Sequence, residues 1–135
     1  MISDKIKGEG YESGGTSLIM SDCIFCKIVA GDLPSKKVYE DDQILAFHDI
    51  QPASPIHVLI IPKKHIVSLA DAGDEDWALI GHIQGAAAQI ARELEVEQSG
   101  YRVITNIGAN AGQIVHHLHY HLMAGARLSP LGVHN

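Results

Sequence analysis

The sequence predicts one α+β domain with an antiparallel sheet. Three observations support this fold class: short β-branched runs bounded by turn residues, one long segment with apolar residues at helical spacing, and a length of 135 residues. That length suffices to bury a core, and 46% hydrophobic with 19% charged residues is typical of a globular protein. The predicted order of helix, hairpin, long helix and hairpin fits an α+β domain.

The first predicted element lies near Cys23. Residues 1–20 mix glycines with Ser, Lys and Glu without periodicity, and we interpret them as a disordered leader or a cloning remnant. A short helix is expected from Cys23 to Ala30, because Gly31 then stands at its C-cap. Since residues 1–20 are interpreted as lying outside the fold, the single domain is expected to span residues 21–135.

Three strands are expected after the short helix. Residues 38–39 and 44–48 are apolar runs on either side of an acidic turn, which indicates a hairpin. Two prolines in four residues make 49–55 a loop. The β-branched run 57–61, which ends at Pro62, predicts a buried strand.

A long helix is expected from Asp74, which can cap its N-terminus, to about Glu97. Its apolar positions recur every three or four residues: Trp77, Ile80, Ile83, Ala87, Ile90 and Leu94. Gly100 precedes a predicted strand over 101–105. The loop 106–112 then leads into a final strand that carries several histidines.

The charge balance limits the kind of ligand. Ten basic against 16 acidic residues give a net charge of −6, which argues against a broad surface for a nucleic acid polymer. A small phosphate ligand in a local pocket stays compatible. No apolar run reaches the roughly 20 residues that a membrane span needs, and the N-terminus lacks a signal-peptide run, so a cytoplasmic location is expected.

Four histidines lie within residues 115–123, and three of them, His117, His119 and His121, alternate. On a strand, alternate side chains share one face roughly 6–7 Å apart, with His116 on the other face. Imidazole suits proton transfer, nucleophilic attack and metal ligation near neutral pH. The row could hold a metal, act on a phosphoryl or acyl centre, or consist of separately hydrogen-bonded histidines. The spacing favours division of labour over three nitrogens on one ion.

The loop before the row is rich in small residues. Gly108, Ala109, Ala111 and Gly112 leave the backbone bare, and Gln113 is predicted to add an amide on the face of the row. Such a loop suits an anionic oxygen, although a plain turn would have the same composition.

Cys23 and Cys26 form a C-x-x-C pair. In a reducing cytosol this spacing indicates a metal half-site or a redox motif rather than a structural disulfide.

Segment 113–122 resembles the histidine-triad (HIT) motif, His-φ-His-φ-His-φ-φ with φ apolar. The resemblance extends to segments 23–28, 46–50 and 57–65 in the family's order, and it covers about residues 22–125. Within the family the chain is most similar to the Hint branch of nucleoside phosphoramidases. This resemblance implies a HIT-like fold, with a five-stranded antiparallel sheet, one long and one short helix, and a homodimer that forms a continuous sheet.

The resemblance also implies an activity, hydrolysis of the P–N bond in purine nucleoside 5′-phosphoramidates such as adenylated amines. His119 would attack the α-phosphorus and form a nucleotidyl-histidine intermediate, and His121 would bind a phosphate oxygen. His117 and His57 would belong to the surrounding hydrogen-bond and proton network, and no metal is required for the chemistry. Two alternatives stay open: a dinucleoside polyphosphate hydrolase of a sister branch, and a nucleotide-binding regulatory protein with vestigial hydrolysis.

A nucleotide pocket for AMP or an adenylated amine follows from the same resemblance. Asp49 would accept the ribose hydroxyls. The other implied contacts are Phe25, Ile28, Phe47, His48, Ile50, Asn106, Gly112, Gln113 and Ile114, together with His119 and His121. The apolar members could equally be ordinary core residues. Position 114 is often polar in this branch, so Ile114 implies the loss of a side-chain contact to phosphate.

Zinc-bearing relatives of the family imply a structural metal site. Its counterparts here are Cys23, Cys26, His65 and His117, a Cys2His2 set suited to tetrahedral zinc. The alternative is a pair of buried thiols without metal.

Overall fold

The structure, a computed structural model, describes residues 22–131, so the predicted leader over 1–20 lies outside the described residues. Within this range the elements are α1 (Ile24–Ala30), β1 (Lys37–Glu40), β2 (Ile44–His48), β3 (Ile56–Pro62), α2 (Trp77–Glu93), β4 (Tyr101–Ile104) and β5 (Tyr120–Ala124). Short 3-10 turns cover Leu69–Asp71, Asp74–Asp76 and Ala109–Ala111. None of the described helices is long and apolar enough to cross a bilayer.

The five strands form one antiparallel sheet in the order β1-β2-β3-β5-β4. This confirms the predicted α+β class and the five-stranded sheet of the HIT-like fold. The register pairs Leu59 with both Phe47 and His121, and His121 with Ile104. These four side chains therefore lie in one row across a single face of the sheet.

The two faces of the sheet bury different clusters. Helix α2 covers one face with a stripe that includes Ile83 and Ile90, which are fully buried among residues such as Leu118 and Leu122. Helix α1 covers the other face with Phe25, which joins a smaller cluster of Leu45, Phe47, Leu59 and Ile61. The second face also carries the histidines.

Both ends of α1 have a capping interaction. Cys23 is the N-cap, and its Sγ accepts a hydrogen bond from the Cys26 backbone N–H at 3.4 Å. Gly31 has φ of +86°, the left-handed conformation that the predicted glycine C-cap requires. The short helix is therefore where the sequence predicts it, with its first residue at Ile24.

The long helix differs from the prediction at both ends. Asp76, not Asp74, is the N-cap residue, and a 3-10 turn over Asp74–Asp76 precedes the helix. The Asp76 carboxylate accepts the Gly73 N–H at 2.9 Å and so caps that turn rather than the helix. The helix ends at Glu93, because Glu95 adopts φ of +61° and the chain turns back there. Trp77 is 49% exposed, so the buried stripe begins only at Ile80.

The predicted histidine strand is also shorter. β5 begins at Tyr120, so His121 lies in the strand whereas His117 and His119 precede it. β4 ends at Ile104, which pairs with His121, so the segment before β5 has no partner in β4. Its backbone bonds elsewhere: the Leu118 N–H donates to the Ile66 carbonyl at 2.6 Å.

Candidate active site

The histidines of β3 and β5 form the centre of the candidate site. The Ala53 backbone N–H donates to His57 Nδ1 at 3.0 Å, so the ring proton of neutral His57 must be on Nε2. That Nε2 lies 2.9 Å from His121 Nδ1, which therefore accepts. The remaining proton of His121 is on Nε2, available to an anion. Asp49 Oδ2 lies 3.5 Å from His57 Nε2 and completes this group.

His119 has the geometry of a nucleophile. Its Nδ1–H donates to the main-chain carbonyl of His117 at 2.7 Å, which leaves the lone pair on Nε2. Its side chain is 8% exposed and packs edge-on against Phe25, with ring centroids 5.2 Å apart. The His121 ring lies 5.0 Å from it, centroid to centroid. A nucleophile and a hydrogen-bond donor thus lie side by side.

Burial keeps the three imidazoles neutral at pH 7. It lowers the pKa of His57 and that of His119 below the ordinary histidine value of 6.5. Burial, with the neighbouring His119 and His57, lowers the pKa of His121 to about 4. A neutral imidazole is the form that can attack phosphorus, so the electrostatics suit nucleophilic catalysis.

A second group, the Cys/His cluster, consists of Cys23, Cys26, His65 and His117, and it shares His117 with the histidine row. Its four donor atoms are within 4.8 Å of one another. Cys26 Sγ lies 3.2 Å from His65 Nδ1 and 3.5 Å from His117 Nδ1, and Cys23 Sγ lies 3.4 Å from His117 Nδ1. His117 Nε2–H donates to the Pro62 carbonyl at 2.8 Å, so its Nδ1 lone pair faces the thiols.

This cluster fits a zinc ion. Zn–S bonds of about 2.3 Å and Zn–N bonds of about 2.0–2.1 Å at tetrahedral angles separate S and N donors by about 3.5 Å, close to the distances found here. The Cys26 thiol, together with His117 and His65, lowers the pKa of Cys23, which favours the thiolate that zinc binds. The contact between His117 and Pro62 is the kind of outer-shell bond that metal-bound histidines make.

Asp49, His57 and His121 are also residue types that bind metals, and their ligand atoms lie within 4.8 Å of one another. Their hydrogen bonds disfavour a metal there. Both His57 nitrogens are engaged, since Nδ1 accepts from Ala53 and Nε2 bears the proton that His121 accepts. The geometry therefore indicates a hydrogen-bonded relay at this position.

The amide of Gln113 is used inside its own loop. Nε2 donates to the carbonyls of Val67 at 2.7 Å and Val115 at 3.1 Å, and Oε1 accepts from the Gly108 N–H at 2.9 Å. The predicted strand face does not extend to residue 113, because β5 begins only at Tyr120. Gln113 instead holds the loop in shape, and the neighbouring Ile114 is 86% exposed.

The loop glycines are required for their backbone conformation. Gly108 and Gly112 have φ of +83° and +87°, and a Cβ at either position would contact nothing within 4 Å. Asn106, which precedes the loop, is half-buried. The backbone around Gly112 is exposed, which suits the approach of a ligand.

A cleft of about 710 Å³ opens beside His57. It is lined by Pro34, Ser35, Lys36, His48, Asp49, Ile50, Pro52, Pro55 and His57. The structure thus brings together three of the predicted nucleotide contacts, His48, Asp49 and Ile50. The two prolines of the predicted loop and the segment 34–36 did not appear among the predicted contacts, because nothing local in their sequence indicates a ligand.

The predicted aromatic wall lies deeper. Phe25 and Phe47 are 6% and 5% exposed, and their ring centroids are 5.8 Å apart in an edge-to-face contact. Ile28 packs against the same cluster. In this structure these three residues are members of the core that supports the site.

Known proteins resemble the chain over most of its length. The profile of the family described as "Scavenger mRNA decapping enzyme C-term binding" matches residues 22–132. An uncharacterised HIT-like protein of Synechocystis sp. is 44% identical over 108 residues, which are 80% of this chain and 94% of that protein.

Solved structures show the same likeness. A histidine triad protein from Clostridium difficile is 50% identical, with a TM-score of 0.79 over 81% of this chain and 95% of its own. A HIT family hydrolase from Legionella pneumophila is 42% identical, with a TM-score of 0.78 over 80% of this chain and 96% of its own.

Proposed function

Because the chain belongs to the histidine-triad (HIT) family, we propose that it is a hydrolase of the P–N bond in purine nucleoside 5′-phosphoramidates, of the Hint branch. The observation that supports this most is the 2.7 Å hydrogen bond from His119 Nδ1–H to the His117 carbonyl. It leaves a neutral Nε2 lone pair beside the Nε2–H of His121. A nucleophile and an oxyanion donor are what phosphoryl transfer needs.

In the first step His119 Nε2 attacks the α-phosphorus, and the P–N bond to the amine breaks. His121 Nε2–H donates to a non-bridging oxygen, and His57 holds His121 in that tautomer. The amine leaves with a proton taken from water on the open side of the loop 106–114. The product of this step is a nucleotidyl-His119 intermediate.

In the second step a water molecule attacks the same phosphorus. The bond between phosphorus and His119 Nε2 breaks, AMP is released and the water proton passes to solvent. The His117 carbonyl keeps the His119 ring in one orientation through both steps. Two displacements replace one difficult displacement, which is the advantage of covalent catalysis.

The nucleoside would occupy the cleft beside His57. Asp49 is 20% exposed there, and its Oδ1 accepts the Gln51 N–H at 2.9 Å, which fixes the carboxylate toward the cleft. Its oxygens suit ribose hydroxyls as acceptors. His48 and Ile50 flank it, and Ile50 is 93% exposed, so an adenine ring would cover apolar surface that water now contacts.

Structural zinc and a homodimer belong to the same proposal. The Cys/His cluster would hold zinc, which would link α1 to the histidine segment. Trp77 on α2 and Tyr101 on the edge strand β4 are 49% and 37% exposed, so each offers apolar surface that a second copy of the chain would cover in the proposed homodimer. Two reduced thiols suit a cytoplasmic location.

Trapping the intermediate tests the proposed activity. Rapid acid or denaturant quench of the protein with an adenosine 5′-phosphoramidate of an alkylamine should give a protein adduct of one AMP, mapped to His119. His119→Ala should abolish the adduct and the turnover while AMP still binds. His116→Ala is the matched control, because His116 is exposed and outside the site, and it should react normally.

The outcomes separate the alternatives. Faster turnover of a diadenosine polyphosphate than of the phosphoramidate would favour the sister-branch hydrolase. AMP binding without measurable turnover of either compound would favour a regulatory nucleotide-binding protein. An adduct on another residue would refute the assignment of His119.

A further inference from the structure

We infer that the Cys/His cluster positions the nucleophile, with His117 as the positioning residue that joins the two groups. The inference concerns regulation of the proposed active site and rests on the proposed function for its catalytic readout. The ring of His117 contacts the two cysteines of the cluster, and the main-chain carbonyl of His117 accepts the hydrogen bond from His119. Zinc bound at the cluster would therefore hold the His119 ring in its reactive orientation.

The first route runs through His117 itself. Its ring Nδ1 lies 3.4 Å from Cys23 Sγ and 3.5 Å from Cys26 Sγ, and its Nε2–H donates to the Pro62 carbonyl. Its side chain is fully buried. The carbonyl of the same residue accepts from His119 Nδ1 at 2.7 Å. Only a few rotatable bonds separate the ring from the carbonyl, and the buried ring is held at both nitrogens, so a displaced ring is expected to shift the acceptor of the nucleophile.

The second route runs through α1. Cys23 and Cys26 flank Phe25, whose ring packs edge-on against His117 and His119 with centroids 5.9 and 5.2 Å away. The helix has seven residues, too few to be stable without tertiary contacts. Anchoring its two cysteines therefore also anchors the aromatic ring that packs on the nucleophile.

The contacts within the cluster are weak without a metal. Thiols are poor hydrogen-bond donors and acceptors, and the S···N distances of 3.2–3.5 Å are contacts of that kind. His65 Nε2 is buried and has no hydrogen-bond partner among the described residues. The His65 ring is thus held by one weak polar contact to Cys26, which metal–ligand bonds would replace.

The test compares zinc-loaded and zinc-stripped protein by NMR of ¹⁵N-labelled histidine rings. In the loaded form we expect a slowly exchanging Nδ1–H resonance from His119. Stripping should broaden or abolish it. The kcat for the phosphoramidate should fall about tenfold to hundredfold, the range for losing an outer-shell contact, with KM within about twofold because the nucleoside cleft is separate.

Two variants separate positioning from general destabilisation. Cys26→Ala should behave like stripped protein at any zinc concentration. Val29→Ala is the matched control, because Val29 lies in the same helix as Cys26 and is not a metal-ligand type. It packs against the apolar cluster that contains Phe25 and Phe47. If Val29→Ala lowers kcat as much as Cys26→Ala at equal Tm, the cluster has no specific role.

Other outcomes also decide the inference. An unchanged His119 resonance after stripping, or binding of less than about a tenth of an equivalent of zinc, would overturn it. If stripped protein unfolds, cadmium in place of zinc keeps the site filled with a larger ion; the His119 resonance should shift, and an unshifted resonance would likewise overturn the inference. If the His119 resonance responds to zinc but neither the loaded nor the stripped protein hydrolyses the phosphoramidate, the proposed activity is refuted and the positioning of His119 by the cluster is supported.

Discussion

His57 Nε2 and His121 Nδ1 are joined by a 2.9 Å hydrogen bond whose direction the backbone sets. The Ala53 N–H occupies Nδ1 of His57, so His57 can only donate to His121. His121 must then present Nε2–H outward. One main-chain amide in the proline-rich loop thereby determines the tautomers of two imidazoles, one on β3 and one on β5.

Replacing His57 tests this control of the tautomer. We expect His57→Phe to lower kcat about tenfold to hundredfold, because His121 Nδ1 then loses the donor that fixes its tautomer, at a cost of about 1–3 kcal/mol. KM should change little. His57→Gln, whose amide can still donate, should lose less. Steady-state kinetics of both variants measure this, and equal kcat for His57→Phe and wild type would contradict the relay.

The same pair makes stability depend on pH. The pKa of His57 and that of His121 are lowered from 6.5 by burial, for His121 to about 4. The unfolded chain therefore binds more protons, so this stabilisation is complete above pH 6.5 and is lost as pH falls toward 4. Each such histidine adds about 1.4 kcal/mol per pH unit to the slope where only the unfolded form is protonated.

Urea denaturation between pH 7.5 and 4.5 checks this slope. His121→Phe should flatten the decline of the unfolding free energy by up to one proton, relative to wild type. His116→Phe is the matched control for the substitution itself, because it replaces an exposed histidine that is not part of this pair. An identical slope for His121→Phe and wild type would rule out the linkage.

Local sequence patterns were sufficient for most elements of the fold. An apolar run located β2, a β-branched run located β3, and Gly31 located the end of α1, because these signals act within a few residues. The start of β5 was missed, since it depends on where β4 ends and on the bond from Leu118 to Ile66, 52 residues away. Tertiary pairing, which the local pattern does not contain, decides such boundaries.

For the candidate site, too, local patterns predicted some features and tertiary contacts decided the others. The alternation of His117, His119 and His121 indicated a shared face, but their distinct roles follow from acceptors elsewhere in the chain. The Cys/His cluster joins positions 94 and 91 residues apart, and only the family resemblance pointed to it. The role of Gln113 depends on the Val67 carbonyl, 46 residues away, which no periodicity reveals.

Gln113→Leu is expected to destabilise the protein. The change removes two donors and one acceptor of a buried side chain, which leaves three backbone groups without their partner. A loss of about 1–3 kcal/mol would lower Tm by several degrees for a domain of this size. Calorimetry measures this change. An unchanged Tm together with a raised KM would instead support the predicted role of Gln113 as a direct ligand contact.

Ile114→Ser tests the departure from the family pattern. Because Ile114 is 86% exposed, the change should alter the unfolding free energy by no more than about 0.5 kcal/mol. If position 114 faces the phosphate, the new hydroxyl should lower KM about threefold to tenfold, the effect of one net hydrogen bond. Ile107→Ser is the matched control, since Ile107 is an exposed isoleucine at the start of the same loop and should leave KM unchanged. Equal KM values for Ile114→Ser and wild type would show that the hydroxyl makes no contact with the substrate.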